Sequence, residues 1–113
     1  MNKLVANSSA PVYRVDKFTV PVFARDEFLA RVGETHRFLR TLPGFVTDCV
    51  LEKTEGTGAF NIVTIAIWRD AAAVAAAGDS VGAWRRETGF NPQELFARLQ
   101  IEADLANYRP VEA

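Results

Sequence analysis

The sequence predicts an α+β domain in which four antiparallel strands form one sheet and two long helices cover one of its faces. Three observations carry the prediction. Residues 60–70, FNIVTIAIWRD, form the longest apolar run, and it is β-branched rather than leucine-rich, which marks a strand. Over residues 24–42 the positions Phe28, Leu29, Val32, His36, Leu39 and Leu42 recur at threes and fours, which marks a helix with one buried stripe. The patterns then follow one another as strand, helix, strand, strand, helix, short helix, strand, the order of a split βαβ fold.

Bulk properties narrow the class. The 113 residues are enough for one domain and too few for two. About half are apolar and a quarter charged, which is ordinary globular usage. The formal charge of −1 is made of interspersed signs, so a nucleic-acid partner is not expected. The single cysteine, Cys49, rules out an internal disulfide and suits a reducing compartment. The N-terminal stretch has too short an apolar run for a signal peptide, and no run is long enough to span a bilayer. A soluble, cytoplasmic protein is expected, with no membrane partner.

Residues 1–10 read as a flexible arm, polar at Asn7-Ser8-Ser9, and residues 11–113 as the single folded domain. Residues 12–20 mix Val, Tyr, Phe and Thr and predict the first strand, which Pro21 ends or confines to an edge. The first helix follows over 24–42, with Asp26 and Glu27 in its first turn and Arg40 in its last, matching the helix dipole. Pro43-Gly44 stops it. The second strand spans 45–53, and the glycine-bearing turn 54–58 folds it back onto the third strand as a hairpin. Asp70 is the N-cap of a second helix over 70–88, weakened by Gly78 and Gly82, with a restart at Asp79-Ser80. Asn91, Pro92 and Glu94 start a short helix over about 92–100. Residues 102–108 give a weak fourth strand.

This order is the ferredoxin-like one, and right-handed crossovers place both long helices on the same side of the sheet. The other face is then bare. Yet Val63, Ile65 and Ile67 make the third strand apolar on that face as well, opposite Phe60, Ile62, Thr64, Ala66 and Trp68. No element of the chain remains to cover it. A second copy of the chain is the simplest cover, so the sequence predicts a homodimer joined through the open sheet face.

With these elements placed, the sequence resembles the antibiotic biosynthesis monooxygenase family of dimeric α/β barrels over about residues 12–110. The resemblance rests on a first strand ending Val20-Pro21, on Leu42-Pro43-Gly44-Phe45 after the first helix, and on Ile65-Ala66-Ile67-Trp68 before an acidic cap and an alanine-rich helix. It implies a cofactor-independent monooxygenase acting on a small aromatic, phenolic or quinol-type substrate, using O₂ without flavin, haem or metal. The haem-degrading branch carries a histidine about ten residues after the tryptophan, where this chain has Gly78, and its strand-one asparagine has no counterpart near Val15-Asp16-Lys17; haem is therefore disfavoured. The polyketide-oxidising branch carries an asparagine four residues before the tryptophan, where this chain has Thr64.

Cofactor-free oxygenation requires a base or a donor for the substrate oxyanion, and a dry aromatic pocket. Trp68 can offer its indole N–H and an aromatic face. His36, the only histidine, lies on the apolar stripe of the first helix and has the side chain best suited to proton transfer near neutral pH; packing against a backbone carbonyl is the structural alternative. Thr64 offers a hydroxyl. These three are the candidate catalytic residues, and a shared cavity between sheet and helices is the expectation. Trp84, Arg86 and Tyr13 are candidate substrate-binding residues, and Tyr108 is a second phenol. Cys49 has no nearby base and reads as a small buried hydrophobe. One His and one Cys give no metal-ligand spacing, so no metal is expected. The alternative reading is a non-catalytic dimeric module that binds a small apolar metabolite, or an isomerase or lyase on the same scaffold.

Overall fold

A computed structural model describes residues 9–112. The expected N-terminal arm therefore falls almost wholly outside the described residues. The first strand, β1 (Val12–Thr19), is central: it pairs antiparallel on both sides. Beyond its end the Asn61 side chain carries on the pairing, accepting from Val20 N and donating to Val20 O, each at 2.8 Å. Pro21 thus follows the strand's end and costs no ladder bond. A single 3-10 turn (Val22–Ala24) leads into α1 (Arg25–Leu39).

The first helix ends three residues earlier than its apolar stripe suggests. Thr41 N and Leu42 N bond back to Phe38 O and Leu39 O in tightened turns, and the chain then reverses at Gly44 with φ 81°. A side chain at Gly44 would collide with the Cβ of Ala73, so the turn needs glycine for both its backbone and its close approach. Gly44 O also accepts from Arg69 N at 2.8 Å, tying this turn to the end of the third strand.

The hairpin forms as expected from β2 (Phe45–Glu52) and β3 (Ile62–Trp68). Lys53 donates to the carbonyls of Thr57 and Gly58, and Glu52 accepts two bonds from Arg25, so these charges organise the turn and the start of α1. The second helix, α2 (Ala71–Thr88), is capped by Asp70 and closed by left-handed Gly89. It runs unbroken through Gly78 and Gly82, because each glycine costs only about 1 kcal/mol amid strong helix formers. The short α3 (Pro92–Leu99) starts on Asn91, whose side chain accepts from Gln93 N and Glu94 N. The chain closes with β4 (Glu102–Tyr108).

The sheet order is β2-β3-β1-β4, all antiparallel, with the ferredoxin-like topology. In β3 the burial alternates: Ile62, Thr64, Ala66 and Trp68 are buried under the helices, while Val63, Ile65 and Ile67 are only half-buried on the other side. Tyr13, Val15 and Lys17 share that open face, paired with Ile67, Ile65 and Val63. Cys49 lies opposite Ile65 and is exposed, contrary to the buried reading, because nothing among the described residues covers its face. No helix among the described residues is long and apolar enough to cross a membrane.

The helix-side core is split. One cluster gathers Phe18, Phe28, Ile62, Leu95 and Leu99 beneath α1 and α3; the other gathers Ala66, Trp68, Ala73 and Ala77 beneath α2. Between them lies a cavity.

Candidate functional site

The cavity measures about 330 Å³ and is bounded by the helix-facing side of the sheet and by α1, α2 and α3. That is the small end of the range of ligand sites, about 300–1,000 Å³. Phe18, Phe28, Phe90 and Phe96 give it apolar walls, and Trp68 closes the β3 end. The sequence-predicted Trp68, His36 and Thr64 all line it. The strand period puts Thr64 and Trp68 on the helix-facing side, and the position of His36 on the apolar stripe of α1 turns it toward them.

Trp68 is 4% exposed and meets Phe45 edge to face, with ring centroids 5.6 Å apart. His36 is tied down by a group the sequence reading did not single out. Its Nδ1 lies 3.0 Å from Asp48 Oδ2. Arg40 completes the arrangement, donating from Nε to Oδ2 at 3.0 Å and from Nη2 to Oδ1 at 3.1 Å. Burial pushes the Asp48 carboxyl up, but the hydrogen bonds from Arg40 and His36 outweigh it and hold the group below its usual value. Asp48 is therefore an anion at neutral pH. An anion has no proton to give, so Nδ1 carries the proton and donates it. Nε2 is left as the ring nitrogen available to the cavity.

The floor of the cavity carries a second polar group. Asp16 on β1 sits opposite Thr64 on β3, and Arg14 sits opposite Ala66 on one side and Asn107 on the other. Arg14 Nε donates to Asp16 Oδ1 at 2.6 Å. Burial raises the Asp16 carboxyl, partly countered by Arg14, by a backbone bond at Ala106 and by His36 whenever its ring is protonated. Arg85, from α2, lines the same space. Its guanidinium is pushed below its usual value by burial and by the nearby charge of Arg14, with Asp16 acting the other way.

The three expected substrate-binding residues lie elsewhere. Trp84 stacks on Phe38, centroids 4.5 Å apart, where α2 meets α1. Arg86 is exposed on α2; the neighbouring Arg85 lines the cavity instead, since one step along a helix turns a side chain by about 100°. Tyr13 lies on the open face with Tyr108, whose ring lies beneath Lys17 Nζ at 5.7 Å. Among the described residues no cluster of three or more His, Cys, Asp or Glu side chains is placed to hold a metal ion.

Solved structures share this fold. A candidate monooxygenase from Shewanella loihica PV-4 superposes with a TM-score of 0.71 at 19% identity, over 93% of this chain and 98% of that one. SnoaB, a cofactor-independent oxygenase from Streptomyces nogalater, superposes with a TM-score of 0.68 at 24% identity, over 92% and 96%. A dimeric ferredoxin-like protein from an uncultured marine organism gives 0.61 at 13% identity, over 91% and 98%. No protein-family model matches the chain, and no curated protein matches it significantly. The class is therefore the ferredoxin-like α+β fold, and the chain is similar in architecture to proteins that include a cofactor-independent oxygenase.

Proposed function

We propose that this chain is a cofactor-independent monooxygenase of the antibiotic biosynthesis monooxygenase type, acting on a small phenolic or quinol-type substrate. One observation carries the reading: His36, with Nδ1 fixed by an ionised Asp48, lines an aromatic cavity together with Trp68 and Thr64. Nε2 is then a base held in one tautomer. Removing a proton from an activated CH₂ between aromatic rings leaves an electron-rich anion, and its oxygen can accept from the Trp68 indole or the Thr64 hydroxyl.

The anion gives one electron to O₂, and the radical and superoxide combine to a peroxide. The proton held on His36 returns to the peroxide, and loss of water leaves a ketone. The CH₂ becomes C=O, giving up four electrons; one oxygen atom stays in the product and the other leaves as water. The substrate is its own reductant, so the scheme needs no flavin, haem or metal.

The functional unit is a homodimer through the open face. Val15, Val63, Ile65 and Ile67 supply its apolar centre, with Leu51 on β2, which is 50% exposed in the single chain. The structural likeness to an oxygenase and to a dimeric protein supports this reading without assigning a substrate. The test is incubation of an anthrone with the protein under ¹⁸O₂. One heavy atom in the quinone product supports the proposal. Product that draws its oxygen from water contradicts it.

A further inference from the structure

Arg85 presents an unresolved demand. Its Nε is fully buried and has no hydrogen-bond partner among the described residues. A buried donor without an acceptor costs free energy, more so on a charged group. The residues around it do not meet the demand. Arg14 is of like charge, and Asp16 Oδ1 is already taken by Arg14 Nε at 2.6 Å. Arg31, the third cation of the lining, is occupied with Glu34 at 3.2 Å and with the Phe90 ring at 4.6 Å. With Arg31 offset by Glu34, Arg14 and Arg85 share a single carboxylate, Asp16, in a cavity with largely apolar walls. A mostly apolar cleft with surplus positive charge favours an anion.

We propose that the cavity takes an aromatic carboxylic acid, its carboxylate on Arg85 beside Arg14 and its ring between Trp68 and His36. The planar guanidinium matches a planar carboxylate, which would meet it through the Nη groups, the Nε being enclosed by the fold. Asn107, opposite Arg14 on β4, adds an amide at the same end. This deepens the oxygenase reading and rests on its placement of the ligand in the cavity. It divides the site into a reactive end at His36 and Trp68 and an anchoring end at Arg85.

The experiment titrates 1,4-dihydroxy-2-naphthoate and its primary amide into the full chain, wild type beside Arg85→Met and Arg85→Lys, with thermal melting to confirm that each variant folds. The acid should bind wild type about tenfold or more tightly than the amide, as a charge-assisted bond predicts. Arg85→Met should bring that ratio near one, and Arg85→Lys should keep part of it. Equal binding of acid and amide to wild type overturns the carboxylate proposal and leaves the oxygenase reading standing. A preference undiminished in folded Arg85→Met also overturns it. Binding of neither probe to wild type removes the cavity reading, and this proposal falls with it.

Discussion

His36 Nδ1 and Asp48 Oδ2 lie 3.0 Å apart, joining α1 to the edge strand β2. The Asp48 side chain is 9% exposed, and both its oxygens are engaged, so the imidazole cannot turn without breaking a charge-assisted bond. Asp48 acts on substrate only through His36. Asp48→Asn should therefore lower kcat about a hundredfold while KM changes by less than about twofold, because an amide facing Nδ1 no longer fixes the tautomer. Steady-state kinetics checks this. A rise in KM with kcat intact would make the pair a structural tie only.

The two partly buried carboxylates should respond to pH in opposite ways. Asp48 titrates below its ordinary 3.8 in the folded chain, so its contribution to stability is present above 3.8 and is lost as pH falls through the lower folded value. Asp16 titrates above 3.8, so its contribution is present below 3.8 and is lost as pH rises through the folded value. At neutral pH the ionised Asp16 costs stability. Asp16→Asn should melt higher than wild type at pH 7, and the difference should vanish near about pH 3. Asp48→Asn should melt lower at pH 7, and its deficit should shrink in acid. Thermal melts across this range decide both signs.

Gly44→Ala should destabilise the fold by about 1–3 kcal/mol from the left-handed backbone alone, with more from the collision at Ala73. Gly89→Ala carries a left-handed cost without the collision, since open space surrounds Gly89. Chemical denaturation should therefore rank Gly44→Ala as the weaker protein. Equal losses would mean that the approach of the turn to α2 has little influence.

Ile65 sits at the middle of β3 on the open face, between Val15 and Cys49. Ile65→Glu should convert a dimer into a monomer, read as a halved mass by light scattering, since a buried unpaired charge at a sheet-to-sheet contact is strongly unfavourable. A wild type that is already monomeric at micromolar concentration would contradict the dimer proposal.

The strand and helix order was legible because its signals are local. Asp70, Asn91 and Gly89 cap where cap chemistry requires, and the alternation of residues 62–68 gives the two faces of β3 directly. His36 and Trp68 were legible for the same reason, each lying on a readable face. Their partners were harder to see. Asp48 looked like any strand-borne charge until the β2–β3 register set it opposite Ala66 on the helix side. Arg14 and Asp16 share a face with Phe18 by simple alternation, and that signal was present in the sequence; which strand lies beside them was not. Arg85 and Arg86 differ by one helical step, and only the docking of α2 on the sheet decides which of them enters the cavity. Cys49 is exposed in the single chain because it lies on the sheet face that one chain leaves bare, the face the proposed dimer would cover.

The most direct test is oxygen uptake by the purified protein, with no flavin or metal added, on anthrone-like phenols and hydroquinones. Wild type is run beside Trp68→Phe and His36→Ala. Uptake in wild type that falls at least about tenfold in both folded variants is the result predicted for a cavity in which His36 is the base and Trp68 meets the substrate. No uptake by a dimeric wild type, or uptake that both variants retain, would contradict it.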